Sequence, residues 1–487
     1  MTKMKCVALG SAAMMLAFSG AQAADLPVKA KAVQYVKICS LYGAGFYYVP
    51  GTDTCIKLGG YAQLDASFNA TAHHQPAWNN SGNIGLHNRN SDFFTTRTRT
   101  QLNIDTRTQS EYGVVRTFWS SNFQHTSGEN ASTGTLTMDF GFVQFAGFTL
   151  GKAVSTFQTP WGGNPVGLNT SNLIGGYDNA TGITQIAYTW QFGNGISAQL
   201  GVEDARTIDR APLFNGATAS TNAQFFASAY TNGAGGNAAP DVVGNFKIDQ
   251  AAYTAQLSVA GHNIHPSYYG ATEQSGHPSD VWGFAVQGGL QLKNLPTGKG
   301  DKISMSAIYT DGAPKYAIGG TTGNSFVSFS GGANPAFYQG VALGVLLDGV
   351  FGAWTGVEKT KVWAVQGGYE HNWDANWQTS LFGSYTHVDY NTNATAIYCA
   401  NTAAFFNAGS TCNPDFNIWQ VGSRTAWTPV QNLTFSGEVL YTMLDGAHVG
   451  SANAAAAGNA GLGKPAGNYE FKDQGMWSGN IRVRRTW

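Results

Sequence analysis

Charge is scarce in this 487-residue chain: Asp, Glu, Lys and Arg make up 11% of it, where about 25% is usual for a soluble domain. The remainder is nearly balanced, 27 basic residues against 28 acidic, and offers no basic face for nucleic acid. Long apolar runs are missing from the body of the chain. A helical membrane span needs ~20 consecutive apolar residues. The most apolar interior run, 341–354, is broken by Gly344, Asp348, Gly349 and Gly352, so helical spans are excluded. No G-x-S-x-G, H-E-x-x-H, phosphate-loop or EF-hand pattern occurs. Nothing therefore calls for an enzyme, a metal or a cofactor, and His73-His74 reads as a solvated pair in a long loop.

Glycine, at 62 residues, and aromatics, at 13%, are plentiful, a mixture suited to strands, tight turns and polar loops. Lys3 and Lys5, the apolar stretch 7–20 and Ala21-Gln22-Ala23 have the three parts of a secretion signal. Cleavage is expected before Ala24, leaving one domain over 24–487. That mature chain carries 25 basic residues against 28 acidic, a net of −3. Its cysteines fall into two local pairs, Cys39 with Cys55 and Cys399 with Cys412. In an exported chain these read as disulfides. Zinc is the alternative, but neither pair has His at ligand spacing.

The dominant period is two. In 56–68, Ile56, Leu58, Ala62, Leu64, Ala66 and Phe68 share one face, with Lys57, Gln63, Asp65 and Ser67 opposite. In 93–106, Arg97, Arg99, Gln101, Asn103 and Asp105 oppose Leu102 and Ile104. The runs are ~9–13 residues, close to the ~9–11 that cross a bilayer at a tilt. Short turns such as Ala146-Gly147 and Asn194-Gly195 alternate with long connections, near 69–92, 125–134, 155–182, 207–239, 265–280, 312–360, 391–415 and 445–474. This asymmetry points to an all-β, antiparallel transmembrane barrel rather than a soluble sandwich. Sixteen strands are expected: 56–68, 93–106, 112–124, 135–146, 147–154, 183–193, 195–206, 240–248, 250–264, 281–293, 302–311, 361–373, 376–389, 416–428, 432–444 and 476–487. The segment 312–360 has room for a further hairpin, which would make eighteen. Trp487 closes the last strand and is expected in an interfacial aromatic girdle, in assembly rather than permeation.

Charge on a lipid-facing wall is expensive, so Arg97, Arg99, Arg116, Lys152, Arg424, Arg482 and Arg484 are expected to face inward. Closure of the sheet would bring Arg482 and Arg484 to the early cations. Fixed charge on the wall of an aqueous pore discriminates ions. Alternatively, these arginines only pair with Asp65, Asp105 or Glu438. The loop 155–182, with Pro160, Trp161, Pro165, Gly175-Gly176 and a single acid, Asp178, has the turn formers to fold compactly and narrow a lumen.

Several stretches carry a family resemblance: Ala24-Asp25-Leu26-Pro27, Cys39-Ser40-Leu41-Tyr42-Gly43 to Cys55, Ile56-Lys57-Leu58-Gly59-Gly60-Tyr61, the run 142–152, Gly368-Tyr369-Glu370-His371-Asn372-Trp373, and 481–487. Through them the chain resembles the general porins of alphaproteobacteria. The resemblance implies a trimeric barrel in the outer membrane that passes small hydrophilic solutes and ions by diffusion. It also implies an inward third external loop as constriction. Arg97, Arg99, Arg116, Lys152, Asp178, Arg482 and Arg484 are then the candidate constriction residues. Family members often carry Arg where Lys152 stands and several acids in the loop, so charge selectivity is open. A substrate-specific channel, for example for sugars, is the alternative, with Trp119 or Trp161 as lumenal aromatics.

Overall fold

The computed structural model describes residues 37–76, 84–162, 173–177, 182–319, 322–330, 340–455 and 464–487. Sixteen long strands form one antiparallel sheet that closes on itself. In chain order they are β1 (Cys55–Phe68), β2 (Phe94–Ser110), β3 (Gly113–Thr126), β4 (Thr135–Phe145), β5 (Phe148–Ala153), β6 (Ile183–Gly193), β7 (Ile196–Glu203) and β8 (Asp241–Asp249). They continue as β9 (Tyr253–Ile264), β10 (Val281–Lys293), β11 (Lys302–Asp311), β12 (Lys361–Asn372), β13 (Trp377–Asp389), β14 (Phe416–Val430), β15 (Leu433–Gly446) and β16 (Gln474–Thr486). Each pairs with its chain neighbours, and β16 pairs with β1 from Tyr61↔Thr486 to Phe68↔Gly479. Closure removes both sheet edges, as a bilayer demands. The proposed leader, 1–23, lies outside the described residues.

Two-residue periodicity decides which side chains point in. On β9, Gln256, Ser258, Ala260 and His262 are buried while Leu257 and Val259 are exposed on the outer wall. Hairpin turns follow the dipeptides: Ala146-Gly147 and Asn194-Gly195 both have positive φ at their two positions, as a type I′ turn requires. At the seam, Trp487 exchanges backbone hydrogen bonds with Gly60 (3.1 and 3.3 Å). A Cβ on Gly60 would collide with the Gln101 carbonyl of β2 and also crowd the indole, at 3.0 Å, so glycine is required at this crossing.

The extracellular connections are not plain surface loops. Among the described residues of 312–360, none forms a barrel strand. Ser325–Ser330 pairs with Gly340–Val345, Gly349–Phe351 pairs in parallel with Leu213–Asn215, and nearly all of these residues are buried. Two apolar clusters result. One joins loop residues Phe157, Tyr177, Phe214, Tyr316, Leu346 and Val350 to inward wall residues from Val243 on β8 round to Met476 on β16. The other caps it with Phe225, Phe226, Phe329, Val341 and Tyr469. Both expected disulfides are present: Cys39–Cys55 ties the segment below the barrel to β1, and Cys399–Cys412 staples the loop containing the helix Thr392–Thr402.

Candidate functional site

The segment after β5 turns into the barrel, which is why β5 is only six residues long. Its course is marked by contacts on successive inner-wall strands. Asn245 Nδ2 on β8 donates to the Thr156 carbonyl (2.6 Å) and Gln256 Nε2 on β9 to that of Gln158 (2.9 Å). Gln366 Nε2 on β12 donates to Gly162 (3.2 Å), and Gln420 Oε1 on β14 accepts from Ile174 N–H (2.8 Å). The described parts of this loop thus cross the lumen. Trp161 lies against Gly289 of β10, where any Cβ would collide with the ring. Asp178 lies outside the described residues.

Across from it, the seam between β16, β1 and β2 carries two rows of inward side chains. Register places Arg482, Asp65 and Arg97 side by side, and one step along Arg484, Gln63 and Arg99. Asp65 is fully buried and shared: Arg482 Nε donates at 2.5 Å and Arg97 Nη2 at 3.1 Å. The second row has no carboxylate. Arg484 Nε donates to Gln63 Oε1 (2.7 Å) and stacks over Tyr61, while Arg99 Nε donates to Gln124 Oε1 (3.0 Å). Further along, Asp105 is flanked by Arg107 and Arg116, each 3.0 Å away, and Arg116 also covers Phe118 and Phe142. A buried carboxylate between guanidiniums is stable because each charge compensates the other's desolvation. A guanidinium bonded only to an amide keeps its charge directed at the lumen.

The sequence reading needs two corrections here. Lys152 does not face the lumen. It shares the parity of the outward Phe148 and Leu150, and its ammonium donates to the Met138 carbonyl (2.6 Å). Charge avoids lipid, which argued for an inward Lys152, but the two-residue period of the strand overrides that preference. Nor is His74 solvated, although its neighbour His73 is exposed. A tight turn, Thr71–Gln75, sets His74 at φ 66° and inserts its ring into the first row, 1% exposed. Nε2 accepts from Arg97 (2.7 Å) and Arg482 (2.9 Å), and Nδ1 lies 2.8 Å from Ser67 Oγ. Burial pushes the His74 pKa down to about 3, and the arginine charges add to the shift. Trp119 pairs with the outward Ile104 and lines no track. Arg424 lies opposite Glu438 and donates to Gln378 (2.6 Å). Sequence reading set Gln63 on the polar face with Asp65 but gave it no role, and missed Arg107 and Gln124, although parity with Arg97 exposes Arg107.

A family model described as a porin subfamily, Porin_2, matches residues 25–480. The chain belongs to this porin subfamily. Among curated relatives of this porin, Porin Omp2b of Brucella canis is 32% identical over 257 residues, half of this chain and 61% of the relative. Porin Omp2b of Brucella abortus is 32% identical over 254 residues, with the same shares. The match thus spans less than two thirds of those relatives' length. Among solved structures, the outer membrane channel DcaP of Acinetobacter baumannii superposes with a TM-score of 0.60 at 15% identity, over 90% of this chain and 99% of that one, a likeness of fold. Family membership and the closed barrel place this porin in the outer membrane.

Proposed function

We propose that this porin is a general diffusion channel for small hydrophilic solutes and ions, with a modest preference for anions. The observation that carries the reading is the row Arg484–Gln63–Arg99. Two guanidiniums face the lumen with a neutral amide between them, opposite a loop that crosses the barrel. The loop limits size, and the guanidiniums raise the local concentration of anions. Passage is passive, and no bond is made or broken.

The test is the reversal potential across a planar bilayer in a potassium chloride gradient. The wild type is expected to show chloride preference. Gln63→Glu would set a carboxylate between the two arginines and lower the chloride-to-potassium permeability ratio about two- to fivefold, the effect of ~0.5–1 kcal/mol from one solvated charge. A cation-selective wild type, or a variant with an unchanged ratio, refutes the assignment.

Self-association, as a trimer, belongs to the same proposal. Most of the outer wall presents Leu, Val and Trp, but β2 and β3 present Thr98, Thr100, Thr106 and Thr117, with Lys152 nearby on β5. A charge facing hydrocarbon costs ~2–4 kcal/mol near the midplane. Covering this sector with another copy removes that cost.

A further inference from the structure

The inward loop is anchored near both its ends on acids. Where it leaves β5, Ser155 Oγ donates to Glu203 Oε2 (2.8 Å) and the Thr156 N–H to Glu203 Oε1 (2.7 Å). Toward its other end, the Tyr177 hydroxyl donates to Asp209 Oδ2 (2.9 Å). Glu203 closes β7 directly opposite Asp241 on β8, and His262 on β9 joins Asp241 to Asp348. All four carboxyl residues are at most 1% exposed. Among the described residues, the ion pairs of this cluster all run through His262. Lys315 is buried close to Asp209, but its ammonium donates to the Thr322 carbonyl (2.6 Å). Arg210 turns its guanidinium to the carbonyls of Gly235, Gly236 and His265.

A buried carboxyl with no paired cation takes up a proton rather than stay charged. Asp209 is the member of the cluster placed to do so. Its Oδ1 is buried and has no hydrogen-bond partner among the described residues, a position far more costly for a carboxylate than for a neutral acid. The bond from Tyr177 is one that the neutral acid also accepts. Around Asp209 stand Tyr177 of the inward loop, Glu203, Asp241, and Lys315 with Tyr316 from the segment after β11. Of these, Lys315 alone brings an opposing charge. What rests on Asp209 is more than one bond. The Tyr177 ring stacks on Tyr316 (5.3 Å) and meets Phe157 edge-on (5.3 Å), so its seat fixes the loop to the wall.

We propose that Asp209 is a proton-binding latch for the inward loop: as a neutral acid it seats Tyr177, and when it ionises beside Glu203 and Asp241 their repulsion releases the loop and widens the passage. The latch rests on the reading that this loop limits the passage. The closed state holds a proton on Asp209 that the released state, with the carboxyl in water and a pKa of about 3.9, gives up. Above that value the closed state binds one proton more, so rising pH favours release, by up to about tenfold per pH unit.

The experiment uses the full mature protein in planar bilayers at fixed salt, with pH stepped from about 5 to about 9, well above the ordinary carboxyl range. Openings to a larger conductance are expected to grow more frequent as pH rises, by up to about tenfold per unit, and to subside on return to acid. Asp209→Asn keeps a neutral acceptor for Tyr177 and should stay quiet across the range. Infrared spectra of the protein at neutral pH should contain a protonated-carboxyl band that Asp209→Asn removes. That band does not depend on what the channel passes, so a wrong ion preference leaves it standing. The proposal is overturned by a wild type whose openings ignore pH, by a variant that keeps the wild-type pH dependence, or by an infrared band that Asp209→Asn leaves unchanged. Openings that persist on return to acid would mean unfolding and would also overturn it. So would a pH dependence lost in Lys315→Met but kept in Asp209→Asn, since the lysine would then be the titrating group.

Discussion

At the scale of single residues, small choices set the character of the seam. Asp65 carries a carboxylate and Gln63 an amide, two residues apart on one face of β1. The carboxylate cancels one of its two flanking arginine charges, whereas the amide cancels neither. His74 depends on its protonation state in a different way. Its neutral ring accepts from two arginines, and a proton on Nε2 would turn both contacts into repulsion. Because its pKa is depressed to about 3 in the folded chain and lies near 6.5 when the turn is released, the docked turn is fully favoured above pH 6.5. That advantage falls as pH drops toward 3, by roughly 2 kcal/mol at pH 5. The His74 ring should therefore not titrate in NMR spectra until below pH 4, and the segment 70–76 should loosen in acid. His74→Gln should remove that part of the acid effect. A ring titrating near 6.5 would show that it is solvated.

At the scale of elements, the inward loop is held by a buried polar knot as well as by apolar packing. His262 on β9 lies between Asp241 (2.8 Å) and Asp348 (3.3 Å), Tyr316 donates to Asp241 (2.7 Å), and Tyr177 of the inward loop donates to Asp209 (2.9 Å). Phe157, Tyr177 and Tyr316 pack ring on ring within 5.3 Å, joining the inward loop to the segment after β11. Burial raises the pKa of Asp209 well above the carboxylate range, with Glu203 and Asp241 nearby adding to the shift. His262→Ala leaves Asp241 and Asp348 without their cationic partner, at a cost of about 3–5 kcal/mol. The expected result is a lower unfolding temperature and added current fluctuation in single-channel records as the loop loosens. Unchanged stability and quiet channels would mean that the apolar packing alone holds the loop.

At the scale of the whole molecule, the outer wall is mostly Leu, Val, Phe and Trp, with a cluster of threonines on β2 and β3 and Lys152 two strands away on β5. If the threonine sector is covered by other copies, native mass spectrometry in mild detergent should report a trimer. Thr100→Arg together with Thr117→Arg should shift it to monomer, because charges would be buried across an unmatched contact. A monomeric wild type, or a variant as stable in its assembly as the wild type, contradicts the proposed interface. The inside is divided too. From β8 round to β16 the wall packs against loop cores, and the charged seam of β16, β1 and β2 faces the lumen.

Much of this was legible in the residues. A strict period of two, the alternation of short and long links and the turn dipeptides determine sixteen strands and the face of each side chain, because pleat and hairpin geometry are local. The pairing of the cysteines and the approach of Arg482 to Asp65 and Arg97 follow once the sheet is closed. Counting parity alone would also have turned Lys152 outward, alongside Phe148 and Leu150. Other features only the tertiary structure decided: the entry of His74 into the arginine row and the burial of 322–330 and 340–351. These depend on contacts between loops far apart in the chain. Loop sequences rich in Gly, Asn and Ala have no period from which such contacts can be read; they are fixed only when the closed barrel brings the loops together at one mouth.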